Sequence, residues 1–295
     1  MLRGEILMIV AGIDIGSTMT KVVILDGEKA LASVIGPTGP EHRHLAHKVM
    51  TDALRLAGIA FDALSYVVAT GYGRINVPFA DKQITEITCH ARGVADLFPT
   101  ARTVIDIGGQ DAKAIKLEKG MVGNFVMNDK CAAGTGRFLE VIASALDLTL
   151  ADLGDLSIQA SEKVNISNMC TIFAEQEVSA ALADGTPVAN ILNGLHDAIA
   201  GRVLSLAGRI GVEPDVVFTG GVAKNIGMVQ AIESRLGYPV LIAPEPLLTG
   251  ALGAALLGRK IVENNLAKGV SVRHSSRLFP AGTGTVQIQY DEIGV

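Results

Sequence analysis

Short apolar runs alternate along this chain with longer segments in which apolar residues recur every three or four positions. The first pattern reads as buried strand and the second as a helix with one buried face. Residues 8–15 and 21–25 are predicted as neighbouring strands, 44–56 as a helix ended near Gly58, and 65–70 as another strand. A helix is predicted over 87–97, stopped by Pro99, then strands over 103–107 and 112–117. Helices over 137–146, 173–182 and 187–210 follow, then a strand at 215–219, a helix at 226–236 and a short strand at 240–243. The segment 250–257 reads as a small-residue helix suited to close packing. Alternation of this kind predicts an α/β fold.

The pattern repeats. A strand ending in Asp14-Ile15-Gly16-Ser17-Thr18 is echoed by one ending in Asp106-Ile107-Gly108-Gly109-Gln110, and each is followed by a second short strand. Two similar halves are therefore expected, over 1–100 and 101–260, with a cleft between them. The remainder, 261–295, mixes Lys, Arg, Asn, Ser and Gly, offers one alternating segment at 285–290, and suggests no role.

Composition narrows the function. With 295 residues, 49% of them hydrophobic, the chain can bury sizeable cores. Its 25 Lys+Arg against 30 Asp+Glu give a net charge of −5. That offers no cationic excess for nucleic acid or an anionic membrane. Trp is absent and aromatics are 4%, so stacking platforms for single strands are lacking. The mean hydropathy of +0.39 is spread over many short segments. The apolar stretches 6–13 and 247–258 fall short of the roughly 20 residues a spanning helix needs. Three cysteines, Cys89, Cys131 and Cys170, are too few for a disulfide scaffold, and a reducing, cytoplasmic setting is expected.

Small residues after a strand let a phosphate approach the backbone, where successive N–H groups can cradle it. Gly16, Ser17 and Thr18 form one such turn, and Gly108 and Gly109 another. Asp14 and Asp106, at the strand ends, are placed to orient Mg²⁺ through its waters. Neither turn matches a Walker or dinucleotide pattern. A third loop, Gly220-Gly221-Val222-Ala223-Lys224-Asn225, follows the strand at 215–219, and its glycines suit a ribose or flat ring lying on the backbone. Gln110 and Asp111 are candidates to orient a hydrolytic water. Lys21 reads as a solvated strand residue rather than a phosphate ligand, and Tyr72-Gly73-Arg74 is assigned no chemistry. His42, His44 and His47 read as solvated surface.

These three loops, in this order before a Gly-Ala-Leu-Gly-Ala-Ala helix at 250–255, resemble the actin, sugar-kinase and heat-shock-chaperone ATPase superfamily. The resemblance implies two ribonuclease H-like domains with ATP or ADP in the cleft. Residues 14–18 would be the first phosphate motif, 106–111 the second and 220–225 the adenosine motif.

Cys131 and Cys170 each precede a predicted helix, whose N-terminus favours a thiolate or an anionic cluster. Two cysteines cannot ligate an iron–sulfur cluster alone, but a twofold homodimer supplies the usual four. The same count permits a Cys₄ zinc site or a pair of packed thiols. The surrounding motifs carry more information. Asp106-Ile-Gly-Gly-Gln-Asp111, Met127-Asn-Asp-Lys-Cys-Ala-Ala-Gly-Thr-Gly-Arg-Phe138 and Cys170-Thr-Ile-Phe-Ala-Glu175 closely resemble the activators of (R)-2-hydroxyacyl-CoA dehydratases. Grouped with these are the ATPase subunits of benzoyl-CoA reductases and the reductases of double-cubane cluster proteins. The resemblance spans roughly 9–258. It implies a homodimer that holds one 4Fe–4S cluster on Cys131 and Cys170 of each chain and leaves Cys89 as a packed helix residue. It also implies ATP-driven one-electron transfer, with ferredoxin or flavodoxin as donor and an iron–sulfur dehydratase or reductase as acceptor. A small-molecule kinase, such as an amino-sugar kinase, shares the nucleotide motifs but has no need of the Cys131 motif.

Overall fold

The structure, a computed structural model, describes residues 8–166 and 171–270. They form two compact units. One is built from the chain up to Cys89 and again from Gly250, the other from His90–Thr249.

In the first unit, β1 (Ile9–Ile15), β2 (Met19–Asp26) and β3 (Lys29–Pro37) form an antiparallel meander. Helix α1 (His42–Ala57) then leads to β4 (Tyr66–Thr70) and the two-residue β5 (Lys82–Gln83), which add in parallel on the other side of β1. The sheet order is β3-β2-β1-β4-β5. All seven residues of β1 are buried, which is why it reads as an unbroken apolar run. Leu45, Val49 and Ala53 of α1 recur every four residues and, with Met50 beside them, pack on Ile13, Ile15 and Val22. The helix ends at Gly58 in the left-handed conformation. Helix α2 (Glu86–Leu97) carries the chain across the division at Cys89/His90.

The second unit repeats this plan. Strands β6 (Thr103–Ile107), β7 (Ala112–Glu118) and β8 (Met121–Asn128) form the meander. Helices α3 (Gly136–Ala145), α4 (Leu150–Ser157), α5 (Thr171–Ala183) and α6 (Val188–Gly208) follow. Strand β9 (Val216–Thr219), helix α7 (Ile226–Leu236) and β10 (Leu241–Ile242) complete it, in the order β10-β9-β6-β7-β8. As β1 lies between an antiparallel β2 and a parallel β4, so β6 lies between an antiparallel β7 and a parallel β9. The echo in the sequence is thus a duplicated α/β fold of two five-stranded sheets.

The elements missed by the pattern are β3, β5, β8 and α4. Strands β3 and β8 lie at sheet edges with mostly exposed or half-buried side chains, so neither shows an apolar run. Helix α4 is only eight residues long and is announced instead by its cap, where Thr149 and Asp152 bond reciprocally.

The last described helix, α8 (Thr249–Ala267), extends ten residues past the predicted end. Its small-residue face packs against Gly12 of β1. A Cβ at Gly12 would collide with the Ala251 carbonyl and the Ala255 amide, so backbone meets backbone there. Arg259 of α8 donates to the Gly27 carbonyl at 2.7 Å. No described helix is long and apolar enough to cross a membrane.

His196 of α6 is 1% exposed, and its Nδ1 lies 2.8 Å from Ser157 Oγ. Burial pushes its pKa down from 6.5 to about 4, so the folded chain keeps it neutral. Below pH 6.5 the unfolded chain gains a proton that the folded chain refuses, and stability falls until the pH reaches about 4. The full loss is on the order of 3 kcal/mol. Melting curves from pH 7 to pH 4.5 are expected to show a steeper decline for wild type than for His196→Leu. Parallel declines would mean that His196 does not set this acid limb.

Candidate functional site

The carboxylate of Asp14 sits near the end of the buried strand β1, directly across the ladder from Lys21. Asp106 sits likewise in β6, across from Lys113. Both aspartates are 3% exposed. Burying a lone carboxylate is costly, so each needs a cation. Lys21 Nζ lies 3.1 Å from Asp14 Oδ2, and Lys113 Nζ 3.0 Å from Asp106 Oδ2. Lys21 is therefore not a solvated strand residue. It is 8% exposed and belongs to the base of the first loop.

On the parallel side, Thr70 pairs with Asp14 and Thr219 with Asp106. Thr219 Oγ1 donates to Asp106 Oδ1 at 2.9 Å. The next residue in each case is glycine with a left-handed backbone, Gly71 at φ 84° and Gly220 at φ 85°. A Cβ at Gly71 would collide with Asp14 Oδ1, and one at Gly220 would stand 3.0 Å from Asp106 Oδ1. Only glycine lets the chain turn this close to the carboxylate. Each unit thus presents the same Asp-Lys-Thr-Gly set at the end of its central strand.

Around this set stand the loop residues expected from the sequence. In the first unit Gly16, Ser17 and Thr18 make the turn between β1 and β2, all half-buried, with the Gly16 amide bonded to the Met19 carbonyl. In the second unit the Gly108 amide bonds the Asp111 carbonyl at 2.9 Å, and Gly109 is half-buried beside it. Asp111 Oδ1 lies 2.8 Å from Lys113 Nζ, so one ammonium joins both carboxylates, Asp106 and Asp111. Gln110 is exposed at the loop tip. His90 Nδ1 stands 3.7 Å from Asp106 Oδ1 and 3.1 Å from Thr249 Oγ1. Burial alone would raise the Asp106 pKa. His90 and Lys113, with the hydrogen bonds from Lys113 and Thr219, outweigh it and hold the carboxyl well below the usual range.

The third loop divides by role. Gly220 is buried against the end of β6 and Gly221 is exposed, whereas the Val222 and Ala223 side chains point into the core of the second unit. Asn225 caps α7 by accepting the Met228 amide at 3.0 Å. Any adenosine contact from Val222 or Ala223 would therefore be made by backbone.

Cys131 lies between β8 and α3 and is half-buried. Asn128 Nδ2 donates to the carbonyls of Cys131 at 2.8 Å and Ala133 at 3.3 Å, and Thr135 Oγ1 donates to Ala132 O at 2.8 Å. Arg202 Nη2 of α6 approaches Cys131 Sγ at 3.5 Å. Two backbone bonds then join this segment to the glycine loop after β6, from the Gly136 amide to Gly108 O at 2.8 Å and from the Arg137 amide to Gly109 O at 2.7 Å. Cys170 lies outside the described residues. Among the described residues no group of three or more His, Cys, Asp or Glu gathers as metal ligands. Cys89 is fully buried against Val68 and Ala254, and burial pushes its thiol up to about 12, as befits a packing residue.

Sequence reasoning passed over Lys113, His90, Thr219, Asn128 and Arg202. The seven-residue interval from Asp14 to Lys21, repeated from Asp106 to Lys113, was the one available signal for the buried pairs. Nothing local marks Arg202, which is 71 positions from Cys131.

The model of the BadF/BadG/BcrA/BcrD ATPase family matches residues 11–258. The activator of lactoyl-CoA dehydratase of Anaerotignum propionicum is 51% identical over 256 residues, covering 84% of this chain and 96% of that protein. A benzoyl-CoA reductase subunit of Thauera aromatica is 34% identical over 262 residues, covering 85% and 93%. Among solved structures, the activator of the 2-hydroxyisocaproyl-CoA dehydratase from Clostridium difficile with bound ADPNP aligns with a TM-score of 0.83 at 44% identity. That alignment covers 88% of this chain and 98% of the other.

Replacing Lys113 by Met would leave Asp106 and Asp111 facing each other without their shared cation. Breaking a buried pair on one side costs about 3–5 kcal/mol. The expected result is a lower melting temperature and ATP hydrolysis reduced at least about tenfold. Lys116→Met, which opens only the partly exposed pair with Glu213, should change both little. A Lys113→Met chain as stable and as active as wild type would remove this pair from the site.

Proposed function

Because the chain belongs to the BadF/BadG/BcrA/BcrD ATPase family, we propose that it is an ATP-driven one-electron donor that activates a 2-hydroxyacyl-CoA dehydratase. In this reading two copies share one 4Fe–4S cluster on Cys131 and Cys170 of each chain. Ferredoxin or flavodoxin supplies the electron, and the dehydratase, itself an iron–sulfur protein, receives it. The dehydratase is preferred over a benzoyl-CoA reductase or a double-cubane protein because identity is 51% to a dehydratase activator and 34% to the reductase chain.

The observation that carries the proposal is the pair of backbone bonds from Gly136 and Arg137 to Gly108 and Gly109. They connect the proposed nucleotide loop to the proposed cluster loop through a few residues. The cysteine environment also fits a cluster. Cys131 is half-buried, it is held by Asn128 and Thr135 through backbone carbonyls, and a guanidinium stands beside its sulfur. When bound, the cluster supplies a low-potential centre for a single electron.

The chain's own residues do the rest. Asp14 and Asp106, paired with Lys21 and Lys113, would hold Mg²⁺ through its waters. Gly16, Ser17, Thr18, Gly108 and Gly109 would receive the phosphates on amides and hydroxyls. Gly220, Gly221 and the backbone of Val222 and Ala223 would take the adenosine, with Asn225 fixing the helix behind them. Gln110 and Asp111 would orient the attacking water, Asp111 steadied by Lys113. A change at Gly108 and Gly109 on phosphate release passes to the first turn of α3. The ATP- and ADP-bound forms then differ at Cys131, and differential binding of nucleotide to the two arrangements drives the change.

Iron and acid-labile sulfide should be measured per dimer after strictly anaerobic purification, for wild type, Cys131→Ala and Cys170→Ala. About four of each per dimer is expected, lost in both variants. A colourless wild type with ATPase or sugar-phosphorylating activity and no iron would overturn the electron-transfer reading in favour of a kinase. Stoichiometric zinc would make the site a structural bridge.

A further inference from the structure

We propose that a basic cavity beside Cys131 is the docking surface for the acidic electron-carrier protein that reduces this chain. The inference rests on the reading of Cys131 as a cluster ligand. The cavity, about 580 Å³, lies where strand β8 and the loop after it face the last two turns of α6. Lys130, Arg202 and Arg209 line it, against a single lining carboxylate, Asp129. Many basic side chains among the described residues are neutralised. Lys21, Lys113, Lys116, Lys163, Lys224 and Arg235 all sit in ion pairs. Lys130 and Arg209 form none among the described residues and are exposed.

On a chain of net charge −5, such a patch stands out electrostatically. An acidic protein is repelled by the molecule as a whole and oriented by a surface where cations outnumber carboxylates, which is how complementary patches raise association rates and fix register. The location gives the patch its use. Arg202 is both a wall of the cavity and the group whose Nη2 reaches Cys131 Sγ at 3.5 Å. A protein seated on Arg209 and Lys130 is therefore one side chain away from the sulfur. The rim suits a protein better than a free anion. Phe125, 49% exposed, lies two residues before the lining residue Met127 on edge strand β8, so both share one face. A small anion gains nothing from that apolar rim, whereas a protein interface combines an apolar centre with charged surroundings. The carrier would give up one electron, which the cluster that Cys131 and Cys170 would hold would accept, with no bond made or broken.

The test uses Arg209→Glu and Lys130→Glu, with Lys29→Glu on the exposed start of β3 as control. Binding of an oxidised, strongly acidic two-cluster ferredoxin is measured by calorimetry at low and moderate salt. Reduction of the anaerobic protein is followed spectroscopically with the reduced ferredoxin and, separately, with chelated titanium(III). Each cavity variant is expected to bind at least about tenfold more weakly with a shallower salt dependence. Reduction by ferredoxin should slow in parallel, while the rate with titanium, the iron content and the dimer mass stay at wild-type values. Unchanged ferredoxin binding in both cavity variants overturns the proposal. So does loss of dimer mass, which would assign the surface to a second copy. If wild type carries no iron the cluster reading fails, and ferredoxin binding to the iron-free chain still decides whether this surface docks an acidic protein.

Discussion

A carboxylate at the end of a fully buried strand needs a partner charge, and the way this chain provides it organises both of its units. Asp14 and Asp106 each find a lysine directly across an antiparallel ladder, at 3.1 and 3.0 Å. The pairing depends on register. A slip of one residue would turn either lysine to the opposite face of the sheet and leave the aspartate uncompensated. The ion pair therefore locks the first two strands of each unit, and with them the tight turn between those strands. The turn is where the proposed phosphate contacts lie, so the constraint that makes the strand foldable also shapes the loop.

The duplication is not symmetric in chemistry. In the first unit Lys21 answers to Asp14 alone among the described ion pairs. In the second, Lys113 answers to two carboxylates, His90 and Thr219 crowd Asp106, and the glycine loop is stitched by backbone bonds to the segment bearing Cys131. One unit has a simple glycine turn, and the other a charged network continuous with the cysteine loop. In the proposed mechanism, phosphate release would be felt at the cysteine through this second unit.

Much of this was legible in the sequence because the informative features are local. Buried central strands read as apolar runs, and the strand-Asp-x-Gly turns mark both halves. The words around Cys131 identified the family where the spacing of the cysteines alone did not. What escaped was of two kinds. Edge strands β3 and β8 carry little apolar burial, so no periodicity announces them. Pairings across the fold, such as Arg202 with Cys131 or Thr219 with Asp106, join residues 71 and 113 positions apart and have no local signature. Lys21 was misjudged for a related reason. A lysine on a strand usually reaches water, and only the facing aspartate, seven residues back, reverses that expectation.

The link between Gly108–Gly109 and Gly136–Arg137 is made entirely of main-chain amides and carbonyls. Side-chain substitutions at Arg137 leave both of its bonds in place, so an alanine there would not reveal it. The exceptions are Gly136, where even one added methyl would press on the Gly108 carbonyl at 3.1 Å, and Gly108, where it would collide with the Asp111 carboxylate. Sequence drift in this region can therefore be wide in polarity and charge while the connection persists. The genetic code offers one residue that deletes an amide outright, and proline at 137 would remove one of the two bonds where most other replacements at that position leave both in place.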